Sequence, residues 1–117
     1  MAQLWTNNGE GTVGATFGSG VTTLTLTSGH GARFPNPTAP DYFLLTLEKG
    51  SLPTDQREIV KCTARSTDTL TVVRAQEGTS DSNWDINDAV GLRWTKGTSE
   101  EIQRKIYPEQ LIYARRR

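Results

Sequence analysis

The sequence predicts a mainly β fold: a small antiparallel β-sandwich or barrel-like domain with an extended N-terminal arm and a short C-terminal helix. Three observations predict it. Apolar residues alternate with threonines in steps of two along several short runs, the pattern of strands with one buried side. Clusters of Gly, Pro, Asn and Asp separate those runs and read as turns. Helical periodicity begins only at residue 98. A chain of 117 residues has the length of one domain. It divides into an arm over 1–20, a β-domain over 21–97, and a helix with a basic tail over 98–117.

The arm contains Asn7-Asn8-Gly9-Glu10-Gly11 and Gly18-Ser19-Gly20, both turn or loop signals. Order in so polar a segment would need contacts from elsewhere. Val21 to Thr27 then alternates, with Leu24 and Leu26 on one face and Thr23, Thr25 and Thr27 on the other, which predicts a half-buried strand. Ser28-Gly29-His30-Gly31 ends it. From Phe34 to Pro40 three prolines exclude a central strand, because proline offers the ladder no donor. Asp41 to Leu47 is apolar on both faces and predicts the most buried strand.

Glu58 to Thr79 predicts a stiff hairpin. Val60, Cys62 and Ala64 share one face with Leu70 and Val72, Lys61, Thr63, Thr69 and Thr71 share the other, and Ser66-Thr67-Asp68 turns the chain. Trp84 stands alone in a polar stretch after the hairpin and is expected to fold back onto the core as a plug. Asn87-Asp88 turns into a last strand, Ala89 to Trp94. Thr98 then serves as N-cap with Glu101 at N3, a capping box. Ile102 and Ile106 make an apolar stripe, and Pro108 breaks the helix.

Composition narrows the function classes. Thirteen basic residues balance thirteen acidic ones, so no global charge draws the chain to nucleic acid or a membrane surface. No apolar run is long enough to span a bilayer, and residues 1–20 lack a secretory leader's apolar stretch. The single Cys62 has no internal disulfide partner and reads as a small buried hydrophobe. His30, with Ser28 and Ser19 nearby in sequence, is the one candidate for nucleophilic catalysis; a turn histidine between glycines is the plainer reading. Asp81, Asn83 and Asp85 match the first ligands of a calcium loop, but Ile86 and Leu92 stand where that loop needs Gly and an acid. The glycines from Gly9 to Gly20 lack the Lys-Ser/Thr of a phosphate loop and precede a strand. No catalytic residue, metal site or cofactor is therefore expected, and the chain is read as a structural or binding module rather than an enzyme. Candidate partner contacts are Trp5, the apolar Leu111, Ile112 and Tyr113, and the cationic end Arg115, Arg116 and Arg117.

Several of these residues carry a resemblance. Leu24-Thr25-Leu26, Phe34-Pro35, Asp41-Tyr42-Phe43, Glu58-Ile59-Val60-Lys61 and above all Thr69-Leu70-Thr71-Val72-Val73-Arg74-Ala75-Gln76-Glu77-Gly78-Thr79, then Trp84, Asp88-Ala89-Val90 and Leu92-Arg93, resemble a small β-domain of tailed-bacteriophage virion proteins. That domain occurs in head-decoration, tail-fibre and baseplate proteins. The likeness covers about residues 20–98, and Ala75 stands where such proteins often carry Gly. Its motif residues here are Arg74, Glu77, Gly78, Trp84 and Arg93. Gly78 would supply a positive φ; Glu77 would pair with Arg74 or Arg93, or accept backbone donors in the loop.

The resemblance implies a virion protein made in the bacterial cytoplasm. The first expectation is a capsid decoration (cement) protein that clamps the major capsid protein as a symmetric homo-oligomer such as a trimer, without nucleic acid or membrane partners. The alternatives are a tail, neck or fibre-adaptor component, or a receptor- or carbohydrate-binding module of the tail.

Overall fold

A computed structural model describes residues 3–7, 9–49, 56–93 and 95–99. Six strands are described: β1 Glu10–Thr12, β2 Thr23–Thr25, β3 Phe43–Glu48, β4 Arg57–Ser66, β5 Thr69–Gln76 and β6 Ala89–Gly91. They form one antiparallel sheet in the order β1-β6-β3-β4-β5-β2. The sheet curls into a half-barrel rather than doubling into a sandwich. Just beyond β1 and β2, Val13 and Leu26 form an isolated antiparallel bridge that draws the two edges together. There Thr27 donates its N–H to Thr12 O at 2.9 Å, and Gly14 donates to Thr25 O at 2.8 Å. Glycine is required at that crossing, because a Cβ on Gly14 would lie 2.4 Å from Leu26 O.

The curl wraps a contiguous core. Phe43, Leu45 and Leu47 of β3, Val60 and Cys62 of β4, Leu70 and Val72 of β5, Leu24, Leu26, Phe34 and Trp84 all turn inward and are buried. β3 is the most buried strand, as its sequence requires: Leu44 and Thr46, on its outer face, are covered as well. The Pro-rich segment 34–40 is irregular, with a cis Ala39–Pro40 bond.

The hairpin β4–β5 departs from simple alternation in two places. Its register shifts between Cys62 and Ala64 and again between Ile59 and Lys61. A bulge inserts one residue and flips the facing of the residues beyond it. Ala64, expected beside Cys62 on the inner face, is therefore exposed. Thr67-Asp68 makes the turn, with Thr67 at φ 57°.

The segment before Val21 is extended, but it belongs to the domain rather than standing apart from it. Residues 10–12 are a strand of the sheet, and Val13 and Phe17 lie in the core at 0% and 1% exposure. Two apolar anchors among glycines and asparagines sufficed to bring it in. At the other end, helical geometry begins at Lys96, three residues earlier than the capping box implied. Thr95 is the cap: its Oγ1 accepts the N–H of Thr98 at 3.1 Å, and Ser99 N–H donates to its carbonyl at 3.1 Å. Trp94, Glu101, Ile102, Ile106 and Pro108 lie outside the described residues.

Candidate functional site

The most elaborate polar cluster is built at the end of the hairpin, around a carboxylate to which the sequence alone assigns no role. Glu58 lies on the inner face of β4 with its side chain fully buried. Arg74, at the register shift of β5, donates from Nε to Oε2 and from Nη2 to Oε1, each at 2.8 Å. Three further donors converge: Trp84 Nε1–H at 2.9 Å on Oε1, Ser82 N–H at 3.1 Å on Oε1 and Ala75 N–H at 3.1 Å on Oε2.

Arg74 spends its remaining donors on carbonyls. Nη1 reaches Gly18 O at 2.7 Å and Val21 O at 2.9 Å, Nη2 reaches Ser82 O at 2.7 Å, and the guanidinium carbon lies 4.0 Å from the Phe17 ring centroid. A planar guanidinium with five fixed donors suits this work as lysine would not. The pair thus ties the hairpin to the N-terminal segment and to the loop before β6. Burial pushes the Glu58 carboxyl up, but Arg74, Trp84 and the Ala75 N–H outweigh it and hold the group below its ordinary range.

Trp84 is buried, as expected of a plug, and its backbone exchanges two hydrogen bonds with Phe17, at 2.8 and 2.9 Å. Lys49 covers its ring with Nζ 5.6 Å from the centroid while binding Asp88 at 2.9 Å and Asp85 at 3.2 Å. Gly78 takes φ 80°, the left-handed turn its position asks for. Ala75 is itself at φ 53°, in the region that favours glycine.

Glu77 pairs with neither arginine. Its carboxylate accepts Thr95 Oγ1–H at 2.6 Å and Gly97 N–H at 2.7 Å, at the start of the helical turn. Arg74 is consumed by Glu58, while Arg93 lies on the outer face and binds Glu48. Sequence reasoning missed Glu58 because a glutamate at a strand's start looks solvated. The one signal was its place two residues before Val60, on the same face as Val60 and Cys62.

The remaining candidates are committed to structure. His30 sits in a 3-10 turn, His30–Arg33, where its Nδ1 accepts Thr12 N–H at 3.0 Å. Cys62 is buried, and burial pushes its thiol up to about 12. Asp81 and Asn83 accept the N–H groups of Gly20 at 2.9 Å and Ser19 at 2.8 Å, and Asp85 binds Lys49. Among the described residues no group of three or more His, Cys, Asp or Glu could hold a metal ion, and no helix is long and apolar enough to cross a membrane.

An open groove of about 210 Å³ lies on the outer face, lined by Gln3, Tyr42, Leu44, Lys61, Gln76, Glu77 and Gly97. Lys61 Nζ stands 4.8 Å from the Tyr42 ring centroid. The amides of Gln3 and Gln76 donate to Thr98 Oγ1 at 2.8 Å and Arg74 O at 3.1 Å. With Glu77 also engaged, the groove's polar walls are largely bound to the protein itself. Trp5, near the N-terminus, is 41% exposed. Leu111, Ile112, Tyr113, Arg115, Arg116 and Arg117 lie outside the described residues. No protein-family model and no curated protein matches this chain.

Proposed function

We propose that the chain is a structural protein of a tailed-bacteriophage virion, a decoration protein that binds the assembled head. One observation carries the reading beyond the resemblance of residues 69–79. The motif's chemically rich side chains are bonded within the chain: Arg74 and Trp84 meet at the buried Glu58, and Glu77 accepts from Thr95 and Gly97. A motif spent on architecture suits a module whose work is to dock rather than to transform a substrate. Surface apolar residues, Trp5, Val21, Val73 and Ile86, offer contact area to a partner.

The test is cosedimentation of purified protein with emptied heads and, separately, with isolated tails, alongside its own sedimentation velocity. Binding to heads in a fixed stoichiometry is the expected result. Binding to tails alone would make the chain a tail or adaptor component. A monomer that binds neither would overturn the virion reading.

A further inference from the structure

β5 ends in a backbone that L side chains disfavour. Ala75, Glu77 and Gly78 take φ of 53°, 53° and 80°. Only glycine enters that region freely, and strain of this kind persists where the surroundings over-determine it. At Ala75 the surroundings are the Glu58 cluster, which accepts its N–H. At Glu77 they are residues 95–98. The twisted backbone aims the carboxylate at the start of the helical turn, where it takes Thr95 Oγ1–H and Gly97 N–H. Thr95 in turn accepts Thr98 N–H, and Thr98 Oγ1 accepts the Gln3 amide, joining the two ends of the described chain. Thr95 and Thr98 are both buried. Gly97 leaves room for the arrangement: a Cβ there would lie 2.7 Å from Glu77 Cδ.

We infer that Glu77 is a positioning residue, a clasp that fixes the direction in which the chain leaves the β-domain after Thr95, and that the β-domain folds without it. Its carboxylate bonds run to residues 95–97, whereas the core and the Glu58–Arg74 cluster are complete without them. The helical turn gains from a carboxylate at its start, where unpaired N–H groups gather.

The experiment uses the full chain with spin labels at Thr71→Cys and Ser99→Cys, the buried Cys62 staying unlabelled. Two variants remove the clasp by different means. Glu77→Ala deletes the carboxylate, and Gly97→Ala displaces it while raising local helix propensity. Both are expected to broaden the label-to-label distance distribution. Both should also speed amide exchange at position 97, at Thr98 and at the labelled position 99 by about tenfold or more. Exchange at Val60, Cys62 and Val72 stays at the parent rate. A distribution that remains narrow in both variants would overturn the inference, as would exchange that accelerates equally in the hairpin. Slower exchange in Gly97→Ala, the result that propensity alone predicts, would overturn it too.

Discussion

Arg57 and Glu58 are neighbours on β4 that face opposite ways, and each belongs to a glutamate–arginine pair of opposite character. On the outer face Arg57 Nε lies 3.3 Å from Glu48 Oε2, with the arginine side chain 60% exposed; Arg93, 51% exposed, reaches the same carboxylate. On the inner face Glu58 and Arg74 are 0% and 7% exposed, and both also bond to backbone groups, Glu58 to Trp84 as well. The charges are the same and the energetic meaning is not. Solvent screens the outer set, whose members contribute at most about 1 kcal/mol. The inner set has given up its hydration, so removing one partner strands the other, at a cost of about 3–5 kcal/mol.

The contrast breaks most readily at Arg74. Arg74→Met is expected to lower unfolding stability by about 3–5 kcal/mol in urea titrations. The double variant Glu58→Met/Arg74→Met should stay well below the parent, because Gly18 O, Val21 O and the Ser82 and Ala75 N–H groups lose their partners too. Full recovery in the double variant would show that the cluster is only an ion pair.

Acid probes the same site without mutation. A carboxyl held lower in the folded chain than in the unfolded one contributes stability above its unfolded pKa and loses it as pH falls through the folded value. Stability is therefore expected to hold from neutral pH down to the ordinary carboxyl value of 4.5 and to fall below it. Glu58→Gln starts lower and falls less steeply there. Asp68, held down by the N–H groups of Gly29 and Gly31, keeps part of the slope in both proteins. Parallel profiles for parent and variant would remove Glu58 from the acid response.

Smaller effects sharpen the contrast. Trp84→Phe removes one donor to Glu58 and some volume, and about 1–3 kcal/mol of stability should go with it. Ala75→Gly relieves a positive φ and should stabilise by about 0.5–1 kcal/mol; a loss would mean that the methyl group packs. Arg57→Ala, on the outer face, should change stability by less than about 0.5 kcal/mol and show little difference between low and high salt.

The two faces also differ in how far they could be read beforehand. Alternation identified β2, β4 and β5 and the doubly buried β3, because burial on one or both faces leaves a period that survives in the sequence. β1 was illegible: three residues, Glu10-Gly11-Thr12, carry no period, and they become a strand only because β6 offers an edge. Ala64 was misplaced because a bulge leaves no mark on composition. Trp84 and Gly78 were legible from residue type alone. The partners of Arg74 and Glu77 were not, since pairing depends on which face each residue occupies after the register shifts. Thr95 lost the cap to Thr98 in the sequence because the capping box rewards Glu101, whereas the acid that serves the turn, Glu77, comes from the end of the hairpin.

The Glu58–Arg74 pair organises the domain, while the Glu48–Arg57 pair merely decorates it. A double-mutant cycle run on both pairs, by urea unfolding at neutral pH, tests that difference most directly. The predicted coupling is about 2 kcal/mol or more for Glu58 with Arg74 and under about 0.5 kcal/mol for Glu48 with Arg57. Equal couplings for the two pairs would contradict it.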